Sequence, residues 1–198
     1  MICALPRARR ALLVLLAAIG LTAVAVAPAQ AAKCLNGKKF VLQSRANGDY
    51  VSARIDRGGA FTSALQAVAP QHGTWEVFMM RCFPKFENGD IVSEEFAFMS
   101  VRNSLWVAAE LDYAPGTYGL LRARSAAADG IWERFKFAYY DERPEWGNRN
   151  IVVGLTSTRN NKWLSVQTDI TGQNYGMVRA VAPSMAGNRE QFNLTWLP

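Results

Sequence analysis

A chain of 198 residues with 22 basic and 16 acidic side chains carries a formal net charge of +6, and half of its residues are hydrophobic. That length suits one domain with its own core, and the charge is too small and too scattered to argue for nucleic acid as a partner. One histidine and three cysteines offer little for metal binding or nucleophilic chemistry.

The first element is a leader. Arg7, Arg9 and Arg10 precede an apolar run from Ala11 to Ala27, which closes on Ala29-Gln30-Ala31. Residues 1–31 read as a secretory signal peptide cut after Ala31, because the run is shorter than the ~20 residues of a spanning helix. The exported chain, 32–198, is then expected to be soluble and extracellular, with no membrane attachment once the leader is gone. Three basic residues and no acidic one leave with it, so +3 of the formal +6 remains.

Past the leader, a segment recurs three times. The first copy carries Ser44, Asn47, Tyr50-Val51, Ala67 and Trp75-Glu76-Val77-Phe78. The second answers with Ser100, Asn103, Trp106-Val107, Ala123 and Trp132-Glu133-Arg134-Phe135, and the third with Ser157, Asn160, Trp163-Leu164, Ala180 and Arg189-Glu190-Gln191-Phe192. Such a register marks one supersecondary unit used three times, approximately over 38–82, 95–140 and 151–196.

Within each copy the apolar runs are short, rich in aromatic and β-branched residues, and broken by Gly, Asn, Asp and Pro, which is strand logic. The first copy predicts a strand around Phe40–Ser44, a turn at Asn47-Gly48-Asp49, and strands through Tyr50–Ala53, Ala64–Val68 and Thr74–Met80. Asn47-Gly48 is a tight-turn signal, since both residues tolerate positive φ. A copy of four short strands cannot cover its own apolar face or edges, so three are expected to close around an axis. The fold class is all-β, a β-trefoil of three four-stranded repeats. Cys34, before the first strand, and Cys82, after the fourth, then fall at one end of the barrel. A disulfide between them would stabilise by about 4 kcal/mol in the chain-entropy model.

Taken as a set, Ser44, Asn47-Gly48, Tyr50-Val51-Ser52-Ala53, Ala67 and Trp75-Glu76-x-Phe78, with their repeats, resemble the fascin-like β-trefoils over roughly 38–196. The resemblance implies a single trefoil and a protein partner such as actin, although filament bundling in that family depends on several trefoils in one chain. The Gln-x-Trp triplets of ricin-type lectin trefoils are absent.

The repeated aromatics read as scaffold: Trp75 and Trp132 between barrel and cap, Phe78, Phe135 and Phe192 in the interior, and Tyr50, Trp106 and Trp163 at equivalent strand starts. Glu76, Glu133 and Glu190 are expected at exposed strand positions or as partners for backbone or arginine, too far apart for a glycosidase pair. Asp56, Asp112 and Asp169 read as turn residues, and His72 as a solvated loop residue. No catalytic residue, cofactor or metal ligand is expected. Function is sought where the copies differ: Trp146 in the junction 139–150, Tyr113 and Tyr118 in the second copy, and Tyr175 beside Gln173 and Asn174 in the third. Aromatic faces beside carboxamides suit sugars. The first expectation is therefore a secreted, non-catalytic polysaccharide-binding module. The alternative is a protein-binding module, and the third reading is a glycan-active enzyme using Asp141, Glu142 or Glu145.

Overall fold

The computed structural model describes residues 35–88, 90–113, 115–142 and 150–198. The strands are β1 (Lys39–Ser44), β2 (Tyr50–Arg54), β3 (Ala64–Ala69), β4 (Phe78–Glu87), β5 (Asp90–Ser100), β6 (Leu105–Glu110), β7 (Leu120–Ser125), β8 (Phe135–Glu142), β9 (Asn150–Ser157), β10 (Trp163–Val166), β11 (Val178–Ala182) and β12 (Phe192–Trp196). β1 pairs with β12 and β4, β12 with β9, β9 with β8, β8 with β5 and β5 with β4, all antiparallel. Six strands thus form a closed ring, which removes their free edges. The other six make the hairpins β2–β3, β6–β7 and β10–β11. These hairpins meet one another: Ala64 pairs with Arg122, Arg179 with Leu120, and Gln66 bridges to Met177. A six-stranded barrel joined to a triangle of hairpins is the expected trefoil-like arrangement, one lobe per sequence repeat.

The recurring residues explain why each lobe folds alike. Ser44, Ser100 and Ser157 are fully buried. Their carbonyls accept the amides of Gly48, Ser104 and Asn161 at 2.9 Å, closing a turn whose last residue has φ of 77°, 57° and 54°. In each turn the asparagine side chain works in two directions. Nδ2 of Asn47, Asn103 and Asn160 donates to the carbonyls of Ala67, Ala123 and Ala180, 2.9 Å each time. Oδ1 accepts the amides of Asp49, Leu105 and Lys162. Tyr50, Trp106 and Trp163 are half-buried and each sits at a register shift in its hairpin, the irregularity falling between it and the following residue.

The core holds the aromatics that close the barrel. Phe40, Phe78, Phe96, Phe98, Phe135 and Phe192 are all essentially inaccessible. Phe98 stands where the other lobes carry Leu42 and Leu155, and its ring lies 5.0–6.1 Å from those of Phe40, Phe78, Phe96 and Phe135. Burial of each such ring contributes about 2–3 kcal/mol.

Two expectations are corrected here. Trp75 and Trp132 are only half-buried, because the fourth strand of the first lobe starts at Phe78 rather than Thr74 and both tryptophans lie in the turns before β4 and β8. The glutamates beside them are buried, Glu76, Glu133 and Glu190 being 6%, 7% and 5% exposed, so exposed strand positions are ruled out, while the alternative of backbone partners holds for Glu76 and Glu190. Glu76 accepts the Ser52 hydroxyl and, at 2.6 Å, the amide of Gly73. Glu190 accepts the Ser165 hydroxyl at 2.8 Å and the amides of Ala186 and Gly187. Each of these two carboxylates ties the turn before the lobe's last strand to its second strand.

Candidate functional site

In the second lobe this scheme changes at two positions. Ala108 stands where Ser52 and Ser165 stand, so no hydroxyl reaches Glu133 from β6. Glu110 stands where the other lobes have Arg54 and Gln167. In the first lobe Arg54 is held by Asp56 at 2.7–2.9 Å and by Gln66 at 3.0 Å, and its guanidinium holds the Asp56 carboxyl below the usual range. The second lobe instead has a cavity of about 570 Å³ lined by Ala108, Ala109, Glu110, Leu111, Asp112, Tyr113, Arg124, Ser125, Trp132 and Glu133.

Glu110 is the unusual group. It is 2% exposed. One carboxylate oxygen, Oε1, is ion-paired with Arg124 Nε, while Oε2 has no hydrogen-bond partner among the described residues. Burial pushes its carboxyl up; the Arg124 and Arg122 guanidinium groups oppose the rise, and Glu133 adds to it. Arg124 also donates to the Tyr113 hydroxyl and lies 4.9 Å from the centre of that ring. Arg159 takes the same distance from the Trp132 ring. The cavity thus presents two rings, three carboxylates and one guanidinium.

Of the residues expected to bind a ligand, Tyr113 alone among the described ones lies on the cavity lining. Tyr113 lines the cavity and is 48% exposed. Tyr118 and Tyr175 prove to be repeat equivalents of each other and of Thr62. Their backbone carbonyls accept Arg179 and Gln66, and that of Thr62 accepts Arg122. The Gln173 carbonyl takes Arg57 at 2.6 Å and Gln66 at 3.3 Å, and the Asn174 side-chain oxygen is buried without a partner among the described residues. The turn Gly172–Asn174 is therefore docked on the first lobe, and Tyr118, Gln173, Asn174 and Tyr175 lie off the cavity lining. Trp146 and Cys34 lie outside the described residues. His72 is exposed, its ring edge on Tyr50 at 5.3 Å. Sequence reasoning misses Glu110, Arg124 and Glu133 as residues of this cavity and reads Trp132 as scaffold. The available signal was the comparison of copies, which reads Ser, Ala, Ser eight residues after the conserved serine and Arg, Glu, Gln ten after it.

Among the described residues no group of three or more His, Cys, Asp or Glu side chains could hold a metal ion. No family model and no curated protein matches the chain. Solved structures do. An SDF2-like protein from Arabidopsis thaliana aligns with a TM-score of 0.61 at 10% identity, covering 84% of this chain and 98% of that one. The designed 3-fold symmetric protein ThreeFoil aligns at 0.54 and 14% identity, covering 80% and 99%. An exo-β-1,3-galactanase from Clostridium thermocellum aligns at 0.54 and 11% identity over 83% of this chain, which spans 31% of the galactanase. At these identities the likeness is one of fold. The threefold design among them agrees with the trefoil-like topology.

Proposed function

We propose that the chain is an exported, non-catalytic carbohydrate-binding module whose site is the cavity of the second lobe. The observation that carries this reading is the cavity itself: it opens where the repeat is broken, and it sets the rings of Trp132 and Tyr113 beside Glu110, Asp112, Glu133 and Arg124. Sugar rings stack their C–H faces on aromatic surfaces while carboxylates and guanidinium groups bond the hydroxyls. A fold shared with part of a galactanase is in keeping with this. Export is supported by the leader, residues 1–31. A Cys34–Cys82 bridge belongs to the same reading. It is supported by the Cys82 amide, which donates to the side chain of Asn36 at 3.1 Å and so holds residue 36, two positions after Cys34 in the sequence, against β4.

The test is retention on a panel of insoluble polysaccharides, with release of reducing sugar followed in parallel. Retention on at least one, weakened in Tyr113→Ala while the melting temperature holds, and no sugar release, is expected. No retention anywhere, or retention indifferent to Tyr113→Ala, contradicts the reading. A protein partner is the second reading. It draws on the fascin-like pattern of the repeats and on Phe86, 62% exposed near the tip of the long β4–β5 hairpin; cosedimentation with actin tests its most specific form.

A further inference from the structure

We propose that the second-lobe cavity selects glycans that carry a protonated amine, an unacetylated 2-amino sugar unit, and that Glu110 receives that amine. This rests on the carbohydrate-binding reading above and narrows it to a ligand class. Glu110 lines the cavity, and its Oε2 is buried and lacks a hydrogen-bond partner among the described residues, which costs stability until a donor arrives. Glu133 lines the same cavity, and Ala108 withholds the hydroxyl that its counterparts Glu76 and Glu190 receive. A buried carboxylate without a donor on Oε2, beside a second carboxylate that receives no serine hydroxyl, is matched by an ammonium group, which brings three donors, no acceptor and a positive charge; a sugar hydroxyl brings one donor.

The rings point the same way. Tyr113 and Trp132 each already carry a guanidinium at 4.9 Å, from Arg124 and Arg159, so both rings are set in surroundings that hold cations. The charged and titratable groups around Glu110 are Arg124, Arg122, Glu133, Asp112 and Tyr113. Of these, Arg124 is already engaged with Glu110, and Arg122 Nε is spent on the Thr62 carbonyl at 2.9 Å. An anionic sugar would meet three carboxylates. General electrostatics does not favour the amine form, because the exported chain keeps a net positive charge of +3 once the three arginines of the leader are gone. Burial raises the Glu110 carboxyl, so affinity for the amine climbs as pH rises through its titration and falls again when the amine loses its proton.

Isothermal titration of the full chain with glucosamine oligomers and with N-acetylglucosamine oligomers of equal length decides the matter. The amine form should bind about tenfold more tightly, a gap of about 1.4 kcal/mol. The ratio should collapse in Glu110→Gln and narrow in Ala108→Ser, a change that reproduces the serine of the other two lobes and so leaves folding intact. Equal affinity for the two ligands, or a ratio untouched by both substitutions, overturns the inference while leaving carbohydrate binding standing. Binding of neither ligand, with retention on other polysaccharides, overturns the inference alone; no binding to any glycan removes both.

Discussion

Ser63, Gly119 and Gly176 hold one equivalent position, and all three have positive φ, 59°, 74° and 74°. Their carbonyls accept the amides of Ala123, Ala180 and Ala67 at 2.7–2.9 Å, each from one lobe to the next, which is how the three hairpins are locked together. A Cβ on Gly176 would meet the Ala67 carbonyl oxygen at 2.5 Å. Gly176→Ala is therefore expected to destabilise by at least about 1–2 kcal/mol. Ser63→Gly, which relieves a left-handed serine, should stabilise by about 0.5 kcal/mol after the entropy of glycine is set against it. Urea unfolding midpoints check both signs. At Glu110 the folded-state carboxyl is raised by burial, so the native state binds more protons than the unfolded chain and stability falls as pH climbs from the unfolded to the folded titration point. Glu110→Gln should gain stability relative to wild type between acid and neutral pH; a constant difference across that range contradicts the assignment.

Three asparagines do equivalent work at the scale of the hairpin. Each of Asn47, Asn103 and Asn160 fixes a buried alanine carbonyl across 20 residues, so replacing any one with alanine orphans that carbonyl and should cost about 1–3 kcal/mol. Nearly equal costs at the three sites, measured by chemical denaturation, are expected; a negligible cost at any one contradicts the equivalence. The serine, asparagine and alanine positions were legible in the sequence because backbone geometry dictates them identically in every lobe. Backbone partnership of the glutamates was legible but their burial was not, because a carboxylate satisfied by a turn amide looks, in one dimension, like any solvated charge. The part Tyr118 and Tyr175 play in the fold was not legible, because it lies in their backbone carbonyls, which side-chain identity does not reveal.

For the whole molecule, threefold repetition supplies stability, and the lobe where the repeat departs from its pattern holds the cavity. Phe98 joins rings from two lobes at the barrel centre, and Phe98→Ala should lose about 3–5 kcal/mol, a large share of the stability of a single domain. The strand plan and the barrel could be anticipated because every copy restates them. The substitutions at Ala108 and Glu110 could be read by comparing the copies, but the cavity they line could not, since its lining gathers residues from separate strands and turns. The most direct measurement follows the six tryptophan indole N–H resonances during titration with a soluble oligosaccharide from the best-retained polysaccharide. Binding at the second lobe predicts that Trp132 shifts while its first-lobe counterpart Trp75 stays in place. Equal shifts at both, or a response confined to Trp146, would contradict it.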